Sequence, residues 1–226
     1  PDQASIFIII MAYKVYPRVP SLSPYLTPER EKFTIWMKSL VFQTNGCTVY
    51  NSNGQIVFRV DNYEKKCSSE VYLMDLKGKV LFTIRKKKLQ AFGGWVGYRC
   101  NNNNNNNNNI NDDDQLESSD MINISTEEKP WFRVTRQYCK MLMGDLACHI
   151  SVGCDDKYRI VRIAGKAVGF RIVNLDGKIV AEAKQKQSSS GVVLGDDVLS
   201  LEVAPCEDHS LIMALVMVYG LIRRKM

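Results

Sequence analysis

One segment of this chain restricts its fold more than any other. Leu211-Ile212-Met213-Ala214-Leu215-Val216-Met217-Val218-Tyr219-Gly220-Leu221-Ile222 is apolar on every face of a helix. Asp208 or Ser210 can cap its start, and Arg223, Arg224 and Lys225 suit the negative pole at its end. Twelve helical residues reach about 18 Å, whereas a membrane span needs about 20 residues and about 30 Å. A helix with no polar face and too little length to span is expected inside a protein core. A membrane-inserting tail is the alternative. If the helix is buried, the rest of the chain has to surround it.

The rest of the chain reads as β structure. Short β-rich runs lie at Phe33–Met37, Cys47–Tyr50, Ile56–Val60, Val71–Met74, Val80–Ile84 and Trp95–Tyr98, and again at Trp131–Val134, Ala147–Val152, Arg159–Ile163, Val168–Val173, Ile179–Ala183 and Val198–Val203. About a dozen strands at near-regular spacing argue for a sandwich or a barrel. Three of the turns between them share one chemistry: Asn51-Ser52-Asn53-Gly54, Asp75-Leu76-Lys77-Gly78 and Asn174-Leu175-Asp176-Gly177. The first side chain can accept bonds from the turn backbone, and the glycine accepts a positive φ. Their recurrence in both halves hints at a duplicated β unit. Residues 1–30 read as an extended arm, proline-rich between 14 and 30, and residues 1–10 are expected to precede a start at Met11. Residues 31–226 read as a single domain. Asn101–Asn109 and the acidic stretch after it form a low-complexity insertion over 101–128, expected to be a disordered loop.

Charge separates the same regions. The chain has 30 basic and 24 acidic residues, and seven of the acids fall within 101–128, which has no lysine or arginine. The folded remainder is therefore distinctly basic, and a basic surface attracts phosphates, nucleic acids or acidic proteins. A merely solubilising surface is the plainer alternative. Seven cysteines at irregular spacing, with no basic leader before Ile6–Ile10, suggest a reduced chain. The expected location is the cytoplasm, with a peripheral-membrane or nuclear location as the variants.

Several stretches resemble the plant LURP-one-related family. Phe33-Thr34-Ile35-Trp36-Met37-Lys38-Ser39-Leu40 and Gly46-Cys47-Thr48-Val49-Tyr50 look like its opening, and Val57-Phe58-Arg59-Val60-Asp61-Asn62-Tyr63 is the most specific match. Val71-Tyr72-Leu73-Met74-Asp75 with Gly78–Arg85 is similar to its central hairpin. Trp95–Arg99, Leu194–Val198 and Asp208–Val218 fit as well, so the likeness runs from about Tyr13 to Ile222 outside the insertion. The insertion and the basic finish after Gly220 depart from the pattern. The resemblance implies a tubby-like fold: a closed antiparallel barrel of twelve strands around a buried hydrophobic C-terminal helix. It also implies kinship with phospholipid scramblases and with tubby domains that bind phosphoinositides, and a link to plant defence.

The main candidate for chemistry is the basic run Arg85-Lys86-Lys87-Lys88, which could hold a lipid headgroup, with Arg223, Arg224 and Lys225 as secondary candidates. Its plainer reading is protection of an exposed strand edge. Trp95 and Tyr98 beside Arg99 could stack bases, but on a barrel they are expected in the core or rim, so nucleic acid is the weaker partner. Cys148 and His149 would face opposite sides of a strand, and no C-x-x-C pair exists, so no metal site is expected. His209 reads as a polar helix-start residue. No nucleophile elbow or phosphate loop is present, so neither catalysis nor a cofactor is expected. The sequence thus points to a non-enzymatic binding module for an anionic membrane surface or phosphoinositide. The alternatives are a protein-interaction scaffold using a barrel edge or rim, and a scramblase-like membrane-associated protein.

Overall fold

The computed structural model describes residues 23–37, 46–61, 70–87, 94–100, 129–136, 146–163 and 169–223. Of the arm expected over 1–30, residues 1–22 lie outside them, and so does the loop expected over 101–128. The strands are β1 Glu31–Trp36, β2 Cys47–Tyr50, β3 Ile56–Asp61, β4 Glu70–Asp75, β5 Val80–Lys87, β6 Gly94–Arg99, β7 Phe132–Arg136, β8 Leu146–Val152, β9 Asp155–Arg162, β10 Phe170–Asn174, β11 Ile179–Gln185 and β12 Val198–Val203. Each pairs antiparallel with its neighbours in sequence, and β1 closes on β12 with Glu31 opposite Val203 and Trp36 opposite Val198. Among the described residues one helix, α1, spans His209–Ile222.

Alternation along the strands sends one set of side chains inward. Phe33 and Ile35, Phe58 and Val60, Phe82 and Ile84, Phe132 and Val134, and Leu199, Leu201 and Val203 are all buried. A barrel of about eight strands is filled by its own side chains, and a wider one leaves space along the axis. Here α1 occupies the axis: His209 to Gly220 are all buried, so the helix meets protein on every face. That is why it needs no polar stripe. Among the described residues, no helix is long and apolar enough to cross a membrane.

The shared turn chemistry is built as expected. Asn51 Oδ1 accepts from the backbone N–H of Asn53 and Gln55, and Asp75 Oδ1 accepts from Lys77 and Lys79. Asn174 Oδ1 accepts from Lys178. The glycine of each turn has a positive φ of 75°, 79° and 81° in turn. A fourth turn of this kind, Ser188-Ser189-Ser190-Gly191-Val192, begins with serine: the Val192 N–H donates to Ser188 Oγ, and Gly191 has φ 80°.

The helix start is fastened at several points. Asp208 is the N-cap, its carboxylate accepting from the N–H groups of Ser210 and Leu211. Residues 23–30 pass over this start: the His209 N–H donates to the Tyr25 carbonyl and the Cys206 N–H to the Thr27 carbonyl. His209 stands at the helix start as expected, but the capping role expected of it falls to Asp208. The His209 ring is buried edge-on against Phe33 at 5.4 Å and lies 3.4 Å from Thr27 Oγ1, because the strap and β1 cover it.

Candidate functional site at the exit end of the barrel

Antiparallel strands alternate direction, so the barrel has two distinct ends. The helix enters at the end where β1 starts and leaves at the end where the odd-numbered strands finish. β5 therefore carries Arg85, Lys86 and Lys87 to the exit end; Lys88 lies outside the described residues. β5 is hydrogen-bonded to β4 on one side and β6 on the other, and the closed ring leaves no strand edge. Edge protection is thus not what these lysines do, and a partner cannot be recruited by edge pairing.

Nor does the run act as one cluster. Arg85 points outward and is held by Glu70 on β4, with Nε to Oε2 at 2.9 Å and Nη2 to Oε1 at 3.1 Å. Its guanidinium also lies 5.5 Å from the Tyr98 ring. These bonds push its pKa further up and occupy the fork that a headgroup would need. Lys86 pairs with Trp95 in the inward register of Phe82 and Ile84. At the last turn of the barrel that register opens on the mouth, and Lys86 is exposed. Lys87, opposite Gly94, is half-buried in the outward register.

Two further cations share the position of Lys86. Arg136 ends β7 after the inward Phe132 and Val134, and Arg162 ends β9 after the inward Tyr158 and Ile160. Three successive exit-directed strands thus repeat aromatic, aliphatic and cation at every second residue. Both arginines act on groups in the mouth. Burial pushes the Cys148 thiol up to about 12, against the opposing pull of Arg136 and Arg162. Burial likewise raises the Tyr219 phenol, against Arg223 and Arg162. Arg223 caps the helix as it leaves the barrel, with its guanidinium 5.8 Å from the Tyr219 ring. Arg224 and Lys225 lie outside the described residues. Among the described residues, no acid lies at the exit end of β5 to β9. The sequence reading missed Arg136 and Arg162, although their period-two spacing behind two inward residues could have signalled them.

The other candidates separate. Cys148 is buried and faces in, while His149 is half-buried on the opposite face. Trp95 is in the core, and Tyr98 is on the outside beneath Arg85. No group of three or more possible metal ligands occurs among the described residues.

Comparison with known sequences assigns the chain. Residues 31–220 match the model of the family described as LURP-one-related. The chain belongs to the LURP-one-related family. Protein LURP-one-related 4 of Arabidopsis thaliana is 47% identical, with 93% of this chain and 86% of the relative covered. Protein LURP-one-related 11 of the same plant is 42% identical over 88% of this chain and 81% of its own length. An X-ray structure of an Arabidopsis thaliana protein is similar in fold, with a TM-score of 0.57 at 16% identity over 88% of this chain and 94% of that one. The LURP-one-related assignment covers both the strands that end in Lys86, Arg136 and Arg162 and most of the helix between them.

Proposed function

We propose that this chain is a non-enzymatic binding module that docks its exit end on an anionic lipid surface, with phosphoinositide headgroups as the ligand class. The carrying observation is the set Lys86, Arg136, Arg162 and Arg223, gathered around one mouth with no described acid at the exit end of β5 to β9. Each such cation near an anionic leaflet contributes about 1 kcal/mol. Four give about 4 kcal/mol, close to a millimolar interaction. The electrostatic contact is therefore salt-sensitive and weak by itself. The helix serves as the core of the barrel rather than as an anchor.

The test is flotation of the full chain with phosphatidylcholine vesicles containing phosphatidylserine and phosphatidylinositol bisphosphate. Binding should be detectable at low salt, fall at high salt, and disappear with Lys86→Glu and Arg162→Glu together. Absence of binding by the native chain at low salt would sink this reading and favour a protein partner at the rim.

A further inference from the structure

From the β11–β12 connection we infer a second element of the same docking face: the hairpin tip at 187–195 enters the lipid layer when the exit end meets a membrane. This rests on the lipid-docking reading above and names the part that would supply apolar contact. The tip is the exit-end connection that the structure describes throughout, and it lies across the mouth from β5. Val192, Val193 and Leu194 are consecutive and 62%, 51% and 37% exposed. Among the described residues the other large exposed apolar side chains are at the opposite end, Leu76 on one turn and Leu175 and Ile179 on and just after another, six strands apart around the barrel. Single exposed apolar residues are ordinary on a protein surface, whereas three in a row at one tip are not.

Two features suit this tip to lipid. Gln187-Ser188-Ser189-Ser190-Gly191-Val192-Val193-Leu194-Gly195 contains no ionisable side chain, so no charge has to leave water. Its backbone is also bonded within the tip at several points. Ser188 N–H donates to the Val192 carbonyl, Gly191 N–H to Ser188, and Leu194 N–H to Lys186; the Gln185 amide donates to the Leu194 carbonyl. These bonds fix the shape of the tip before binding, which lowers the ordering cost. The two acids that follow the tip keep their charge but are turned to the protein: Asp197 accepts from Trp36 Nε1, and Asp196 accepts from Gln185 Nε2. An uncharged apolar tip across the mouth from the cations of β5, β7 and β9 fits an anionic membrane. A soluble polyanion would use the cations and leave the tip idle.

The experiment uses the same vesicles with two variants. Val192→Ser, Val193→Ser and Leu194→Ser combined should melt like the native chain yet bind about tenfold more weakly, a loss that persists at high salt. In the second variant, Val193→Trp, emission should shift to the blue on vesicles and be quenched by brominated lipid beyond what the three native tryptophans show. If the native chain binds and charge reversal at Lys86 and Arg162 abolishes it, but the serine variant binds normally and Val193→Trp is not quenched, the tip inference fails and the docking reading stands. If the native chain does not bind at low salt, both fail. Binding to free inositol phosphates equal to binding to vesicles would also overturn insertion.

Discussion

The two ends of this barrel are built on opposite terms. At the entry end charges are answered locally. Arg99 Nη2 lies 3.4 Å from Asp208 Oδ2, and the Tyr158 hydroxyl donates to Glu207 at 2.9 Å. Asp75 satisfies its own turn and takes the Tyr25 hydroxyl at 3.5 Å. The strap at 23–30 then covers the helix start. At the exit end, Lys86, Arg136 and Arg162 finish strands whose inner residues are core, and an apolar hairpin tip faces solvent. One end consumes its polar groups in holding the plug in place. The other gathers Lys86, Arg136 and Arg162 on one half of its mouth, with Arg85 held by Glu70 beside them.

Substitutions can break this contrast, and those in the plug should have the largest effect. Val216→Asp puts a carboxylate at a fully buried helix position; a loss of more than about 4 kcal/mol is expected. The variant should be found in the insoluble fraction, and a soluble, cooperatively melting protein would contradict the plug. Next comes the wall. A Cβ at Gly97 would lie 2.1 Å from Phe132 Cε1, so Gly97→Ala should cost about 1–3 kcal/mol. Phe132→Leu in that background should cost less than the two changes summed, which a double-mutant cycle of melting curves would show.

The entry end should also make stability pH-dependent. Burial lowers the pKa of His209 from 6.5, against Glu31 and Asp208. The unfolded chain then binds a proton more readily than the folded one. Stability is full above about pH 6.5 and falls as the pH drops from there towards the depressed folded value. His209→Gln should flatten the denaturant midpoint between pH 7 and about pH 5.5 relative to the native chain. The smallest effect on stability is expected at the exit end. Lys86→Glu with Arg162→Glu should change it by no more than about 0.5 kcal/mol while removing vesicle binding. A large stability loss there would mean that the cations hold the barrel together.

The same contrast explains what could be read in advance. The plug was legible because a segment apolar on all faces has few places to go. The strands were legible because glycine and an Asx residue punctuate them. The turn at Ser188 escaped because a serine hydroxyl gives a weaker signal than Asx. The splitting of Arg85 from Lys86 escaped because it depends on register: Glu70 lies fifteen residues before Arg85 and meets it only once β4 and β5 pair. Arg136 and Arg162 escaped for a related reason. Lone arginines 26 residues apart become neighbours only when it is known which strands finish at the same end.

Closure of the barrel has a consequence for how the protein comes into being. Glu31 meets Val203, so the first strand waits for nearly the whole domain before it gains its second partner. The core it wraps is made later still, since the helix follows the twelfth strand. During synthesis, strands with bare inner faces leave the ribosome ahead of the segment that covers them. Pairing over such a separation is slow, and exposed strands invite association with other chains. A cell making this protein has to shelter an unfinished cylinder until its axle arrives.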